Sequence, residues 1–457
     1  MTNVTHAELI ADGGAGLVGH KGPLTGEVNQ SVAAILNQEP LTLERFGGGP
    51  GKTAAENSAA WTLLAAQLSS SGGRGKVMFG GGTYQFEEAL ELPAASAGLE
   101  ITGQGLSTRI QQTVPDEHVF ALPSGAGIAH TLAIRNMQLV GPGWDEGTAR
   151  TSHGFHAPSG TPDSFNLLFE DLYISDVSGD GISIGTVGFT VQARRCQFDL
   201  FGRHGINGGN NSWNLENCYA HNAKKREGED ETGAGYRFLG GQINMIGCNG
   251  LDSGDYWGIF GSNAGLGDED YSYAQANLLA CNVEAFAKVG VYCKGGTLNS
   301  LGTKYIGGPF EDLKALLIVA GDGPGIGGVL DSPTQFGLNP GGTWANGRPI
   351  HTLGNRPPFS LVCGGGDPTA GEDRLSWYGD LDSDTFTMPR EHYFYGAYAR
   401  WMRSSRDTRL HGLLSFVNAA GSGVDLVNAA NDAAAATAGV AQFQAYRNGS
   451  QLMVRMT

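Results

Sequence analysis

Four aspartates have the spacing in this sequence that acid–base chemistry requires. Asp180 and Asp199 fall in the same turn of two consecutive repeats, and Asp252 and Asp255 lie together in a later one. Glycoside hydrolysis needs one acid and one base or nucleophile. Stacked strands lie about 4.8 Å apart, so acids on adjacent or alternate repeats bracket the separations of retaining and inverting glycosidases. We expect Asp252 and Asp255 to be the catalytic pair, with Asp199 and Asp180 as the second choice.

Polar and aromatic residues near these acids could bind a sugar. Aromatic rings offer flat apolar faces, and Arg and His side chains offer hydrogen bonds. We expect the substrate-binding residues to be Arg203, His204, His221, Tyr256, Trp257, Tyr271 and Tyr273. For any single aspartate, capping of backbone amides in a turn is the competing interpretation. No His or Cys spacing indicates a metal site, and we expect neither a metal nor a cofactor.

The aspartates are positioned by a sequence repeat, which becomes visible when successive segments of the chain are aligned with one another. Cys196, Cys218, Cys248 and Cys281 align in one column, with Leu172 before them and Thr303 after, in steps of 22 to 33 residues. A second column contains Gly181, Gly205, Gly235, Gly258 and Gly290, each opening a short alternating run. Self-similarity at this period with strand-like alternation predicts an all-β, single-stranded, right-handed parallel β-helix.

Two repeats are longer than the others and predict loops at the edge of a groove. Lys224 to Glu231 is inserted between the cysteine and glycine columns, and the connection from Gly258 to Cys281 carries the segment GLGDEDYSYA. The cysteines themselves we expect to be buried and free, because a small inward-facing thiol column packs well inside stacked strands. Asn136, Asp171, Asn217 and Gly247 occupy a corner where a left-handed conformation is expected.

The pattern divides the chain into four parts. We expect residues 1–42 to form a leader or connecting segment and residues 43–336 to form the β-helix. An irregular connection over 337–375 is rich in Pro and Gly. Residues 376–457 predict a small β-rich, trimerising domain. A capping helix over about 57–69, begun by Asn57 or Ser58, should cover the open end of the solenoid through its apolar face.

The segments before the first strands resemble the phage tail-spike proteins of the pectate-lyase-like β-helix family. The matching phrases are IADGGAGLVG in the leader, Phe46-Gly47-Gly48-Gly49, the helix around Trp61, and KVMFGGGTYQF. Gly51-Lys52 and Gly80 depart from the family pattern, in a segment that serves as a cap. The resemblance implies that residues 1–42 attach or connect the protein to a virion. It also implies a homotrimer on a virion tail, outside the cell, that meets a bacterial surface polysaccharide.

Composition excludes several other classes. A net charge of −16 argues against nucleic acid as a partner. No apolar run reaches membrane length, and the N-terminus lacks the features of a signal peptide. The segment GGGPGKT is not a P-loop, because Phe46 stands where that motif needs glycine.

These observations predict a depolymerase that binds and cleaves capsule or O-antigen, by glycoside hydrolysis with paired carboxylates. Two alternatives remain open. One is a lyase acting on a uronate-containing glycan. The other is an adhesin or virion structural protein that binds glycan without cleaving it.

Overall fold

The computed structural model describes residues 40–96, 98–124, 127–128, 131–143, 151–159, 166–185, 190–223, 233–262, 272–307, 315–320, 327–331, 335–338, 348–353, 359–362, 429–439, 445–448 and 451–454, with the short strands Gly19–His20 and Gln30–Ser31. The chain divides into two compact units, residues 1–385 and 386–457. The first unit contains a network of 27 strands in which every pairing is parallel. This is the predicted right-handed parallel β-helix.

Each rung of the solenoid contributes one strand to each of three sheets, in chain order. Sheet 1 contains Gly75–Met78, Leu99–Thr102, Thr190–Arg194, Ala274–Leu279, Gly296–Leu301, Gly327–Asp331 and Phe359–Val362. Sheet 2 contains Gly82–Phe86, Thr108–Gln112, Gln197–Asp199, Tyr219–His221, Asn249–Leu251, Asn282–Glu284, Lys304–Gly307 and Gln335–Leu338. Sheet 3 contains Leu90–Glu91, Phe120–Ala121, Phe155–Ala157, Ile182–Ile184, Tyr256–Phe260, Val289–Cys293, Ala315–Ala320 and Arg348–Leu353.

Four longer strands bend from one sheet into the next. Thr131–Val140 and Asn166–Ser175 run from sheet 1 into sheet 2, and Ile206–Glu216 and Ala234–Ile246 run from sheet 3 into sheet 1. Ala95–Ser96 pairs in parallel with Gly127–Ile128 outside these sheets. The strands at Arg348–Leu353 and Phe359–Val362 continue the solenoid, so the predicted end of the β-helix at residue 336 is too early.

Single left-handed residues make the corner between sheets 1 and 2. Asn136, Asp171, Asn217 and Gly247 have φ values of 55°, 53°, 51° and 61°, as their residue types predicted. Arg195 and Ala280 take the same conformation at 51° and 49°. Arginine and alanine do not favour a left-handed conformation, so their residue types did not predict it. The stacked neighbouring rungs impose the turn at these two positions. A second left-handed column follows sheet 2, at Asp176, Leu200, Asn222, Asp252 and Ala285.

The cysteine column is confirmed as a buried core element. Cys196, Cys218, Cys248 and Cys281 are at most 2 % exposed and all are free thiols. The backbone carbonyl of each accepts a hydrogen bond from the next rung, for example from Tyr219 N to Cys196 O over 2.9 Å. This column therefore fixes the register of the rungs.

The glycine column is correct except at one position. Gly181 and Gly205 are required, because a Cβ on either would approach the carbonyl oxygen of the next glycine to 2.5 and 2.6 Å. Gly258 instead pairs with Tyr236, one residue out of line, and the column position belongs to Trp257. This shift explains why Cys248 and Gly258 are 10 residues apart, whereas Cys196 and Gly205 are 9 residues apart.

An α-helix over Ala54–Ser70 covers the first rung with the buried Trp61, Leu64 and Leu68. It begins three residues earlier than predicted, because Thr53 is the N-cap and forms a capping box with Glu56. Asn57 instead accepts a hydrogen bond from Gly49 N at 2.8 Å and donates to Gln85 O at 3.0 Å. Leu43–Phe46 and Gly105–Ser107 are 3₁₀ helices.

In the second unit, the described residues form a short helix over Asp432–Thr437 and an antiparallel hairpin of Ala445–Asn448 with Gln451–Val454. The remaining predicted domain boundaries, and the trimerising role of the C-terminal part, stay predictions.

Candidate functional site

The outer face of sheet 2 brings together a carboxylate, an imidazole and two phenols. Tyr173, Gln197 and Tyr219 align in one outward column, and Ser175, Asp199 and His221 align in the next. Strand alternation directs both columns to the same face, since residues two apart point the same way. Asn222 follows His221 at the left-handed corner after sheet 2. We call Tyr173, Gln197, Asp199, Tyr219, His221 and Asn222 the Asp199 cluster.

Asp199 is the centre of this cluster. Its Oδ2 accepts a hydrogen bond from Tyr173 Oη at 2.5 Å, and its Oδ1 accepts one from Asn222 Nδ2 at 2.9 Å. His221 Nδ1 lies 3.4 Å from the same Oδ1. The residue is only 9 % exposed, so these contacts form at the edge of solvent, where hydrogen bonds to a charged group are strong. Of the predicted site residues, Asp199 and His221 are therefore close neighbours.

The two tyrosines belong to the electrostatics of the site. Burial and the hydrogen bond to Asp199 raise the pKa of Tyr173, and the charge of Asp176 acts in the same direction. Burial and the charges of Glu284 and Asp199 raise the pKa of Tyr219. The Tyr219 ring stacks on His221 with centroids 4.6 Å apart. Both phenols are therefore neutral proton donors on a face that carries several carboxylates.

On the far side of His221 lies Gln197, whose Nε2 is 3.1 Å from His221 Nε2. On the other side of the ring, Asn222 Nδ2 lies 2.9 Å from His221 Nδ1, so a side-chain amide nitrogen faces each ring nitrogen of His221. Sequence reasoning missed Tyr173, Gln197 and Asn222, because a diagonal contact between rungs becomes visible only after the register is known.

The surroundings of Asp180 are those of a buried residue that stabilises the fold. It is fully buried, and Arg203 donates to both of its oxygens. Asn207 Nδ2 and the backbone N of His204 donate to it at 3.0 and 3.2 Å. Burial alone would raise the pKa of Asp180, but the Arg203 guanidinium and His153 hold it below its usual range. The predicted residues Arg203 and His204 are thus gathered around Asp180.

Asp180 is one member of a column in which each side chain accepts a hydrogen bond from the backbone of the next rung. His153 N donates to His118 Nδ1, and Asp180 N donates to His153 Nδ1 at 2.8 Å. His204 N donates to Asp180, and Ala234 N donates to His204 Nδ1 at 2.9 Å. We call His118, His153, Asp180 and His204 the turn column. Its role is to join successive turns.

Asp252 and Asp255, the expected catalytic pair, lie in two different environments. Asp255 is fully buried and its Oδ2 is 3.0 Å from Lys288 Nζ. Asp252 occupies the left-handed corner with an exposed side chain, and its backbone carbonyl accepts from Ala223 N. A buried ion pair and a corner residue do not form the acid and base of one exposed site. The expectation that they act together therefore finds no support in this geometry.

The aromatic residues that were predicted to bind sugar also lie in different environments. Trp257 is fully buried with its ring against Tyr236 at 4.9 Å, so it is a core residue and its prediction as a sugar platform is wrong. Its register shift turns it inward, where Gly250 leaves room for the indole. Tyr256 is half-buried and stacks on Tyr292, and Tyr273 is 40 % exposed and donates to Thr297 Oγ1. Residues 224–232 and 263–271, which include the predicted Tyr271, lie outside the described residues.

Alternating charges form an outward column on sheet 1, at Arg135, Glu170, Arg194 and Glu216. Arg135 and Glu170 approach to 3.6 Å, and Arg194 and Glu216 approach to 3.7 Å. Pairs this exposed stabilise a fold only slightly.

Within the described ranges, no three His, Cys, Asp or Glu side chains are arranged to hold a metal ion. Among the same residues, no helix is long and apolar enough to cross a membrane.

Comparison with solved structures places this architecture among known folds. A double mutant of the tailspike protein of E. coli bacteriophage HK620 superposes with a TM-score of 0.50 at 11 % identity, covering 79 % of this chain and 72 % of that one. The chain has the fold of a tailspike β-helix. The A-module of the mannuronan C-5 epimerase AlgE4 of Azotobacter vinelandii gives a TM-score of 0.44 at 12 % identity, covering 70 % of this chain and 96 % of that one.

The pre-mature gene product 12 of bacteriophage phi29 gives a TM-score of 0.42 at 12 % identity, covering 72 % of this chain and 52 % of that one. No family model matches the sequence, and no curated protein matches it either. At these identities the similarity concerns the fold, and the chemistry has to be argued from the residues of this chain.

Proposed function

We propose that this protein is a tail-spike depolymerase that binds a bacterial surface polysaccharide along the outer face of sheet 2 and cleaves it at the Asp199 cluster. The observation that carries the proposal is the contact between Tyr173, Asp199 and His221, three proton-transfer groups within hydrogen-bond reach on one open sheet face. A sheet that presents one side chain per rung offers an extended polymer a regular series of contacts.

Hydrolysis is the reaction that we favour within this proposal. Both oxygens of Asp199 accept hydrogen bonds, and we assign it the role of the ionised carboxylate, as base or nucleophile. The second carboxylate is Asp176, which is half-exposed one rung away and close enough to Tyr173 to affect its pKa. We assign to these two carboxylates the roles of the acid and the base or nucleophile that glycosidases use.

Elimination by a lyase is the second candidate, and a different observation favours it. His221 is held between Gln197 and Asp199 and stacks on Tyr219. An imidazole beside a phenol can remove a proton next to a uronate carboxylate and protonate the leaving oxygen. In this case Asp199 would orient the imidazole, and Asp176 would have no part in the chemistry.

Incubation of the whole protein with a panel of purified capsular and O-antigen polysaccharides tests the proposal. Falling viscosity with new reducing ends supports cleavage, and absorbance of an unsaturated uronate in the products identifies elimination. Binding to a polymer without any product over a long incubation would contradict the depolymerase and leave the non-catalytic adhesin.

A further inference from the structure

The outer face of sheet 1 carries a regular, uncharged surface over three consecutive rungs. The strands ending in Ile246, Leu279 and Leu301 pair directly, so their outward side chains form three columns. The columns are Gln242, Gln275 and Thr297; Asn244, Asn277 and Asn299; and Ile246, Leu279 and Leu301. All nine outward side chains are uncharged, in a protein that has 29 basic and 45 acidic residues. We call these nine residues the sheet 1 face.

The middle column is a ladder of hydrogen-bonded amides. Asn244 Nδ2 donates to Asn214 Oδ1 at 2.9 Å, Asn277 Nδ2 to Asn244 Oδ1 at 2.8 Å, and Asn299 Nδ2 to Asn277 Oδ1 at 3.0 Å. Each of these contacts uses one of the two N–H groups and one of the lone pairs of an amide. The remaining donors and acceptors are held in fixed orientations at intervals of about 4.8 Å. A ligand that binds them finds side chains that have already lost their rotamer freedom.

Beside the amides runs an aliphatic ridge. Ile246, Leu279 and Leu301 are 49 %, 42 % and 48 % exposed, one per rung. A shallow concavity of about 360 Å³ opens where the ladder begins, lined by Gln192, Arg194, Asn214, Leu215, Glu216, Asn244 and Ile246. Hydrogen-bond donors and acceptors therefore lie alongside an apolar strip. None of the nine residues of the sheet 1 face is charged, and the charged residues Arg194 and Glu216 belong only to the concavity at its start.

We propose that the sheet 1 face is a second glycan-binding site, separate from the Asp199 cluster, that takes an uncharged stretch of polysaccharide running along the solenoid. Sugar hydroxyls both donate and accept hydrogen bonds, which suits the amide ladder. The C–H faces of pyranose rings are apolar, which suits the ridge. None of these nine residues offers a charged group that would pair with the charges of a charged polymer. That the ligand is a glycan rests on the proposed function.

The position of the face suits a polymer that is already held at the Asp199 cluster. The Asp199 rung has its sheet 1 strand at Thr190–Arg194, and the strand Ala234–Ile246 enters sheet 1 two rungs later. Two rungs correspond to about 10 Å along the axis. The ridge lies at the corner before Gly247, Ala280 and Gly302, which separates sheet 1 from sheet 2. A long chain can therefore contact both faces, and joint binding strengthens attachment to a long polymer more than to a fragment.

The test compares the double variant Asn277→Ala/Leu279→Ser with Gln85→Ala, an exposed residue on sheet 2 near the capping helix. Both are made in the whole protein with Asp199→Asn, so that the polymer stays intact. Affinity electrophoresis and calorimetry use an uncharged capsular or O-antigen polysaccharide and, in parallel, a uronate-containing one. We expect the double variant to bind the long uncharged polymer about tenfold more weakly. The loss should be equal at low and high salt, because no charge is involved.

Equal affinity of the double variant and the Gln85→Ala control would overturn the inference. So would an unchanged affinity accompanied by a change of oligomeric state in sedimentation, since the face would then be a contact between copies of the chain. Failure of the wild-type protein to cleave any polymer affects only the proposed reaction. In that case weaker polymer binding by the double variant still supports the second site.

Discussion

The Tyr173 phenol donates a hydrogen bond to Asp199 Oδ2 over 2.5 Å, between two neighbouring rungs of the β-helix. This contact joins the two outward columns of sheet 2 diagonally, and it places a neutral proton donor on the carboxylate that His221 and Asn222 also approach. Catalysis by Asp199 would therefore depend on the hydrogen bond from Tyr173.

Tyr173→Phe removes the hydrogen bond and keeps the ring. Asp199 then loses one of its donors, and we expect turnover of the cleaved polysaccharide to fall by about tenfold to a hundredfold, with little change in the melting temperature. Tyr219→Phe is the matched variant, because it keeps the ring that stacks on His221 and leaves the Asp199 hydrogen bonds in place. Equal losses in both variants would argue against a particular role for the Tyr173–Asp199 contact.

Asp180→Asn separates a structural role from a catalytic one. Asp180 is fully buried against Arg203, which is 37 % exposed and can be partly solvated after the substitution. We expect the free energy of unfolding to fall by about 3 kcal/mol, at the lower end for a broken buried ion pair. Urea denaturation measures this. A variant of unchanged stability and abolished turnover would show that Asp180 takes part in the reaction.

The turn column predicts a loss of stability in acid. Burial lowers the pKa of His153 to about 4 and the pKa values of His118 and His204 to about 3. Since these values lie below those of the unfolded chain, the stability is complete above about pH 6.5 and is lost as the pH falls towards the folded values. At pH 5 each imidazole should cost about 2 kcal/mol.

His153→Asn tests this interpretation, because an asparagine oxygen can accept from Asp180 N and does not titrate in this range. We expect the variant to have a flatter dependence of melting temperature on pH between 7.5 and about 4.5 than the wild type. An identical slope would mean that acid acts on other groups.

The thiol column predicts inert cysteines. Burial raises the pKa values of Cys196 and Cys248 and raises that of Cys293 to about 12. The five described cysteines are at most 2 % exposed, so a thiol reagent cannot reach them in the folded protein. A Cys363→Ser variant should therefore show no reaction until it is unfolded, when five thiols appear. Rapid modification of the native variant would contradict the buried column.

The sequence predicted the fold well and the site only in part, for a physical reason. Stacking identical positions is a one-dimensional problem, so the buried column at Cys196 and the corner at Asn217 follow from spacing alone. A site on a sheet face depends on diagonal contacts between rungs, such as Tyr173 with Asp199, and these follow only from the exact register. A shift of one residue turned Trp257 from the surface into the core. Aromatic residues follow Asp255 in the sequence and suggest a sugar site, but core packing produces the same signal, as the buried Trp257 shows.

The central claim is that Asp199 carries the cleavage reaction, and Asp199→Asn tests it most directly. The control is Asp116→Asn, an exposed left-handed residue whose contact with Thr151 the amide can keep. The substrate is the polysaccharide that the wild-type protein cleaves. Initial rates of product release are compared between variants whose melting temperatures equal that of the wild type. We predict a loss of at least about a hundredfold for Asp199→Asn and no loss for Asp116→Asn. Wild-type rates in the folded Asp199→Asn variant would contradict the account.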